Sequence, residues 1–218
     1  MGRTHHTVLR WTKTWFNAEK RAKLAKRKLK ATEFSAARSL DELADVVRDK
    51  SIALVGNSTS LLTAPHNIDA HDVVIRMNRG IYVARESNRL GKKTDVLLCS
   101  VIKPEMKHLV REIRHVMWMS RERRHMLNSE FSYYAGLIYL YPIEWWEELY
   151  VEIGSRPSCG AMGIDLLSRF IGSGEIKLYG FDFWRSPTTY TGSVRTGPHC
   201  PAAEESFARR RVPNNFSE

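Results

Sequence analysis

From Ser51 onward the chain alternates short apolar runs with polar stretches that tolerate a helix. The runs are SIALVG (51–56), DVVIRM (72–77), DVLLCS (95–100), HVMWM (115–119), GLIYLY (136–141) and EIKLYGF (175–181). None shows the strict in-out alternation of a strand with one wet face. Continuous apolar strands belong to sheets covered on both sides, and such sheets are mostly parallel. Helix candidates lie around 104–112, 120–129, 143–153 and 160–171. Strand and helix in alternation predict an α/β fold: a single Rossmann-like domain, a mostly parallel sheet, and helices on both faces. Repeats are absent, and about 170 residues in such layers can bury a substantial core.

The first 45 residues follow another rule. Val8, Leu9, Trp11, Trp15 and Phe16 recur at helical intervals, and EKRAKLAKRKLK (19–30) follows with little apolar relief. The expected organisation is a basic amphipathic arm and linker over 1–45 and a folded body over 46–218. Of the net charge of +10, nearly all sits in the arm: residues 1–30 hold ten Lys/Arg against Glu19 alone, while the rest holds 24 basic and 23 acidic side chains. Proteins that read duplex DNA spread basicity over a folded face, so nucleic acid is not the expected partner. Rings among cations suit an anionic membrane surface. A solvated tail, or a helix packed on its own domain, fits the same residues, and RNA or another polyanion is a third alternative.

No run approaches the roughly 18 apolar residues of a membrane span, and the opening residues lack the apolar core and cleavage site of a secretory leader. Three cysteines, Cys99, Cys159 and Cys200, do not make a disulfide framework. A reducing, cytoplasmic setting is expected, with peripheral attachment to the inner membrane face through residues 1–30 as an option.

Ligands of an open parallel sheet bind beyond the strands' carboxyl ends, near helix N-termini. Four polar clusters fall there. Gly56-Asn57-Ser58-Thr59-Ser60 follows the first strand, where the Asn57 amide and the hydroxyls can meet a phosphate or sugar, or simply cap a turn. Arg76-Met77-Asn78-Arg79-Gly80 follows the second. Arg156-Pro157-Ser158-Cys159-Gly160 opens a helix with small residues, so backbone N–H groups face any anion there, with an ordinary Ser158 cap as the plain alternative. Cys159 suggests a nucleophile, but no base partner accompanies it. Asp182, Trp184, Tyr190, Arg195, His199, Glu204 and Glu205 follow the last strand, around a loop (185–200) rich in Ser, Pro, Thr and Gly. A histidine in such a loop can act as a base near neutral pH. No acidic pair of the kind that clamps a metal follows a strand, and no metal is expected.

The order and spacing of these clusters resemble a known family. IALVGNSTSLL…IDAHDVVIRMNRG…GKKTDVLLCS resembles the large sialyl motif of the family 29 sialyltransferases, and RPSCGAMGIDLLSRF…EIKLYGF their small motif. His199-Cys-Pro-Ala-Ala-Glu204 has the spacing of their very small motif. The likeness spans 52–99, 156–184 and 190–204. It implies a fold of the GT-A-variant type and inversion at the anomeric carbon of a keto sugar carried as its cytidine monophosphate (CMP) ester, without a metal.

Residue by residue, the resemblance implies that Asn57 and Asn78 face the nucleotide, with Ser58 beside Asn57. Ser158, Cys159 and Gly160 would line the donor. His199 would deprotonate the acceptor hydroxyl, Glu204 would be the acidic member of the motif, and Tyr190 an aromatic member. Ala53 stands where the animal enzymes' large-motif cysteine belongs, Cys159 replaces a hydroxyl or small residue, and YGFDF is closer to the bacterial family 42 sialyltransferases. These departures suggest a bacterial or non-secretory form. The expected substrates are CMP-sialic acid or CMP-3-deoxy-manno-octulosonate (CMP-Kdo) and a glycan or glycolipid acceptor. An inactive CMP-sugar-binding or scaffold protein, and a CMP-sugar hydrolase, are the alternatives.

Overall fold

Among the described residues six strands form, each inside one of the apolar runs: β1 (Ser51–Val55), β2 (Val73–Met77), β3 (Val96–Cys99), β4 (His115–Trp118), β5 (Ile138–Leu140) and β6 (Glu175–Tyr179). The structure, a computed structural model, describes residues 37–102, 106–123 and 138–213. The sheet belongs to a compact unit made of Ala37–Arg121 and Gly136–Glu218; the second unit, Met1–Ala36 with Glu122–Ala135, lies outside the described residues except for Glu122 and Arg123. The arm expected over the first residues therefore falls outside the description.

Every pairing in the sheet is parallel, and the strand order is β5-β4-β3-β2-β1-β6. Ile52 pairs with Val73 on one side and with Ile176 on the other. Successive side chains point to opposite faces, which explains why uninterrupted apolar runs are needed. Ile52 and Leu54 join Ile75 and Leu98 beneath α1 (Leu40–Val47), α4 (Ile143–Ile153), α5 (Cys159–Phe170) and α6 (Pro201–Arg211). Ala53, Val55 and Val74 face the other way, against Ala84 of α2 (Gly80–Glu86), Leu61 and Leu90. α3 (Lys107–Glu112) contributes the buried Leu109 and Val110. Truncating a fully buried strand residue such as Leu98 to Ala costs about 2–5 kcal/mol.

The chain lays β1 to β5 toward one edge, then returns to place β6 on the opposite side of β1. The ends of β1 and β6 therefore lie side by side at the switch point, where an open sheet leaves a crevice beyond its strand ends. Gly56 makes that close approach possible. A Cβ there would stand 2.4 Å from the Gly180 carbonyl oxygen, so only glycine lets the two strand ends pass.

Among the described residues three helices escape the hydrophobic pattern. α1 crosses the boundary expected at residue 45, and its Leu43, Ala44 and Val47 are buried in the sheet's core. α2 begins within the polar cluster after β2, and α6 follows the polar loop. The expected helix over 120–129 is not formed at 120–123: the Trp118 indole N–H donates to the Ser120 carbonyl and folds the chain back, while Arg121 lies over the Trp146 ring. The rest of that helix falls outside the described residues. No helix among the described residues is long and apolar enough to cross a membrane.

Candidate active site

The crevice at the ends of β1 and β6 is a cleft of about 380 Å³, and Asn57, Ser58, Asn78, Ser158, Cys159, Gly160, Tyr190, His199 and Glu204 all line it. The topology thus gathers residues up to 147 positions apart into one wall. Asn57 extends the end of β1. Its Nδ2 donates to the Met77 carbonyl at 3.3 Å and to the Tyr190 hydroxyl at 3.4 Å, and its buried Oδ1 has no hydrogen-bond partner. Asn78, at φ 50°, takes the left-handed conformation that asparagine tolerates. Its Oδ1 accepts the Ser100 N–H at 3.0 Å, which fixes the amide beside the cleft.

Ser58 lines the cleft, but its hydroxyl is engaged. It donates to Asp182 Oδ2 at 2.8 Å, caps the Ser60 N–H, and lies 2.8 Å from the Ser186 hydroxyl. The same Asp182 oxygen accepts the Ser186 N–H at 2.8 Å and its hydroxyl at 2.5 Å. Backbone bonds complete the join: Thr59 N–H donates to the Pro187 carbonyl and Thr189 N–H to that of Asn57. Asp182 is therefore the hub that latches the long loop onto the β1 turn. Its place in the polar cluster after β6 does not announce this role, because the Ser58 it joins to the loop lies 124 residues away.

On the opposite wall Ser158 caps α5 by accepting the Ala161 N–H at 3.1 Å. Its own N–H and hydroxyl donate to the two oxygens of Glu204 in the first turn of α6, at 2.8 and 2.5 Å. Glu204 is 3% exposed, and burial pushes its pKa up to about 7 against the opposing pull of the Ser158 hydrogen bonds. The helix start thus presents Cys159 and Gly160 to the cleft, with Gly160 pressed against Phe181: a Cβ there would meet that ring at 2.9 Å. Burial also pushes the Cys159 thiol up to about 12, so it stays protonated at neutral pH and a thiolate nucleophile is disfavoured.

His199 accepts its place from three neighbours. Its Nδ1 lies 2.8 Å from the Arg156 carbonyl oxygen, an acceptor only, so Nδ1 carries the proton in the neutral ring and Nε2 is the basic nitrogen. Glu204 Oε1 stands 3.8 Å from the same Nδ1, and the Trp184 indole stacks on the ring at a centroid separation of 5.4 Å. Tyr190 is pushed up to about 12, chiefly by burial, so its phenol remains a hydrogen-bond donor; the Arg79 guanidinium lies 5.3 Å from its ring centre. Among the described residues Arg195 is the one Lys or Arg side chain lining the cleft, at its exposed mouth. Cys99, Cys159 and Cys200 form no disulfide. Among the described residues no group of three or more His, Cys, Asp or Glu side chains is arranged to hold a metal ion.

A cleft at the switch point of an all-parallel sheet is where Rossmann-type folds bind ligands, and the strand order puts the protein in that fold class. The chain belongs to glycosyltransferase family 29 (sialyltransferase), whose family model matches residues 3–134. That match includes Asn57, Ser58 and Asn78 and ends before the Ser158 turn and His199. The fold is that of a GT-A-variant sialyltransferase. A mammalian sialyltransferase crystallised with Gal-beta-1-3GalNAc-ortho-nitrophenol is 17% identical over 89% of this chain and 85% of that one, with a TM-score of 0.61. A second mammalian sialyltransferase structure gives the same identity and TM-score over 89% and 84% of the chains. The sialyltransferase CstII from Campylobacter jejuni, in complex with cytidine-5'-monophosphate, is 17% identical over 77% and 78%, with a TM-score of 0.46. No curated protein sequence matches the chain.

Proposed function

We propose that the protein transfers sialic acid, or a related 2-keto-3-deoxy sugar such as Kdo, from its CMP ester to a glycan hydroxyl with inversion. The observation that carries this reading is the fixed tautomer of His199: Nδ1 is bound to the Arg156 carbonyl, and its ring lines the same cleft as Asn57, Asn78 and the start of α5. In the step envisaged, the acceptor O–H bond breaks and its proton passes to His199 Nε2. The acceptor oxygen forms a bond to the anomeric carbon as the bond from that carbon to the phosphate oxygen breaks, and its electron pair leaves with CMP.

The donor's phosphate and carboxylate would meet the Asn57 amide, the N–H groups at the start of α5 and the Tyr190 hydroxyl. Such preorganised donors stabilise charge that grows on the leaving phosphate. Asn78 would face the ribose or phosphate. Ser58, Ser158 and Glu204 would act by holding the walls in register, and Cys159 and Gly160 by letting the donor approach the helix start. No metal is needed in this scheme. A glycan or glycolipid acceptor at the cytoplasmic face, with residues 1–30 on an anionic membrane surface, suits the basic arm.

The test is incubation with CMP-sialic acid and CMP-Kdo beside a panel of soluble and lipid-linked glycans, following CMP release and acceptor mass. Stoichiometric mass gain with CMP release is the expected result, reduced about 100- to 10,000-fold by His199→Ala. CMP release without acceptor modification identifies a hydrolase instead, and binding without turnover an inactive sugar-nucleotide-binding protein.

A further inference from the structure

Immediately after Asp182 the backbone does something side chains resist. Phe183 and Trp184 are consecutive non-glycine residues in the left-handed region, at φ 52° and 61°. Bulky residues adopt that conformation only where the surrounding structure over-determines it. Here the turn is held at both ends. Asp182 Oδ2 binds the Ser186 N–H and hydroxyl, and the Asp182 carbonyl accepts the Arg185 N–H at 3.1 Å. The outcome of the turn is the placement of one ring: the Trp184 indole lies over the His199 imidazole, with centroids 5.4 Å apart and planes within 21° of parallel.

We propose that Trp184 is the positioning residue for His199. The Arg156 carbonyl at 2.8 Å fixes one edge of the ring, and the indole against its face fixes its plane, so the stack adds to the Nδ1 hydrogen bond in setting the direction of Nε2. The same indole face attracts positive charge, which favours the imidazolium formed when Nε2 takes a proton. The strained turn at Phe183 and Trp184 thereby delivers an oriented base. The proposal rests on the reading of His199 as the base that receives the acceptor's proton.

The test compares Trp184→Phe and Trp184→Leu with the parent in three measurements: CMP affinity, single-turnover transfer, and the ring-proton NMR signals of His199, assigned by their loss in His199→Gln. Trp184→Leu is expected to lower the transfer rate by about tenfold with unchanged CMP affinity, and to shift the His199 ring protons downfield as the indole's shielding disappears. Trp184→Phe, which keeps an aromatic face, is expected to recover most of both. Normal transfer by Trp184→Leu, or a parallel fall in CMP affinity, overturns the proposal. His199→Ala separates this failure from that of the base reading. Full transfer by His199→Ala removes the base and the proposal together; transfer lost in His199→Ala but undiminished in Trp184→Leu removes the proposal alone.

Discussion

Glu204 accepts two hydrogen bonds from one residue, the N–H of Ser158 at 2.8 Å and its hydroxyl at 2.5 Å. The carboxyl that opens α6 thus holds the residue that caps α5. Helix start and helix start are joined back to back, and Gly160 and His199, on either side of the joint, face one cleft. An interaction buried this deeply responds to pH through the carboxyl's own titration.

Burial raises Glu204 from 4.5 to about 7, so between those values the native protein keeps a proton that the unfolded chain has released. Stability must then fall as pH rises through that window, and the shift corresponds to about 3 kcal/mol. Glu204→Gln, close in shape and never charged, should flatten the dependence. Urea midpoints at pH 5 and pH 7.5 measure it for both proteins. Equal pH dependence in the two would show that Glu204 does not carry the linkage.

Asp182 offers a second, local test. Its Oδ2 collects three donors that hold the long loop on the β1 turn. Asp182→Asn exchanges a charged acceptor for a neutral one, and hydrogen bonds to charged groups contribute about 1.5–3 kcal/mol. Amide hydrogen exchange should accelerate at Thr59 and Thr189, whose N–H groups cross this joint, while strands β2 and β3 keep their protection. Uniform acceleration across the sheet would mean that the hub supports the whole fold rather than the loop.

The strands were legible because a strand buried on both faces writes itself as an uninterrupted apolar run, and the cleft followed from their parallel order. α4 was legible to its ends, since Gly154 terminates it in the left-handed conformation at φ 73°. α6 was not. Its buried residues are Glu204, Phe207 and Ala208, so the face turned inward begins with a carboxylate and its apolar part is confined to one adjacent pair. α1 had a readable start, Ser39 three residues before Glu42, obscured by its place beside the basic arm. In the site, residue types marked the clusters but not the partners. Ser58 and Ser158 look alike in sequence as ligand-facing hydroxyls, yet carboxylates 124 and 46 residues away engage them. Likewise nothing local announces that Trp184 faces His199.

The basic arm makes a prediction that depends on charge alone. Residues 1–30 hold ten Lys/Arg, and each cation near an anionic surface contributes about 1 kcal/mol. Replacing Lys20, Arg21, Lys23 and Lys26 by Gln should lower affinity for phosphatidylserine vesicles by about 1,000-fold while leaving turnover of a short soluble acceptor intact. Raising salt should weaken the parent's association in the same direction. Vesicle sedimentation across a salt series measures both, and undiminished binding by the Gln variant would assign the membrane contact to another surface.

Asn57 tests the donor side of the cleft. Its Nδ2 reaches the Met77 carbonyl and the Tyr190 hydroxyl only at 3.3 and 3.4 Å, distances at which the amide contributes little to the fold. The same amide lines the cleft beside a buried Oδ1 that has no hydrogen-bond partner. A group that does little for stability and sits where the leaving phosphate would lie is expected to act on the reaction. Asn57→Ala should therefore leave the urea midpoint nearly unchanged and lower kcat/KM for the CMP-sugar by about 10- to 150-fold, the loss of one charge-assisted hydrogen bond of about 1.5–3 kcal/mol. Because Tyr190 loses a contact in the same variant, Tyr190→Phe is measured beside it. Asn57→Ala falling further than Tyr190→Phe assigns the larger effect to the amide, whereas equal kcat/KM for Asn57→Ala and the parent, both folded, removes Asn57 from the donor site.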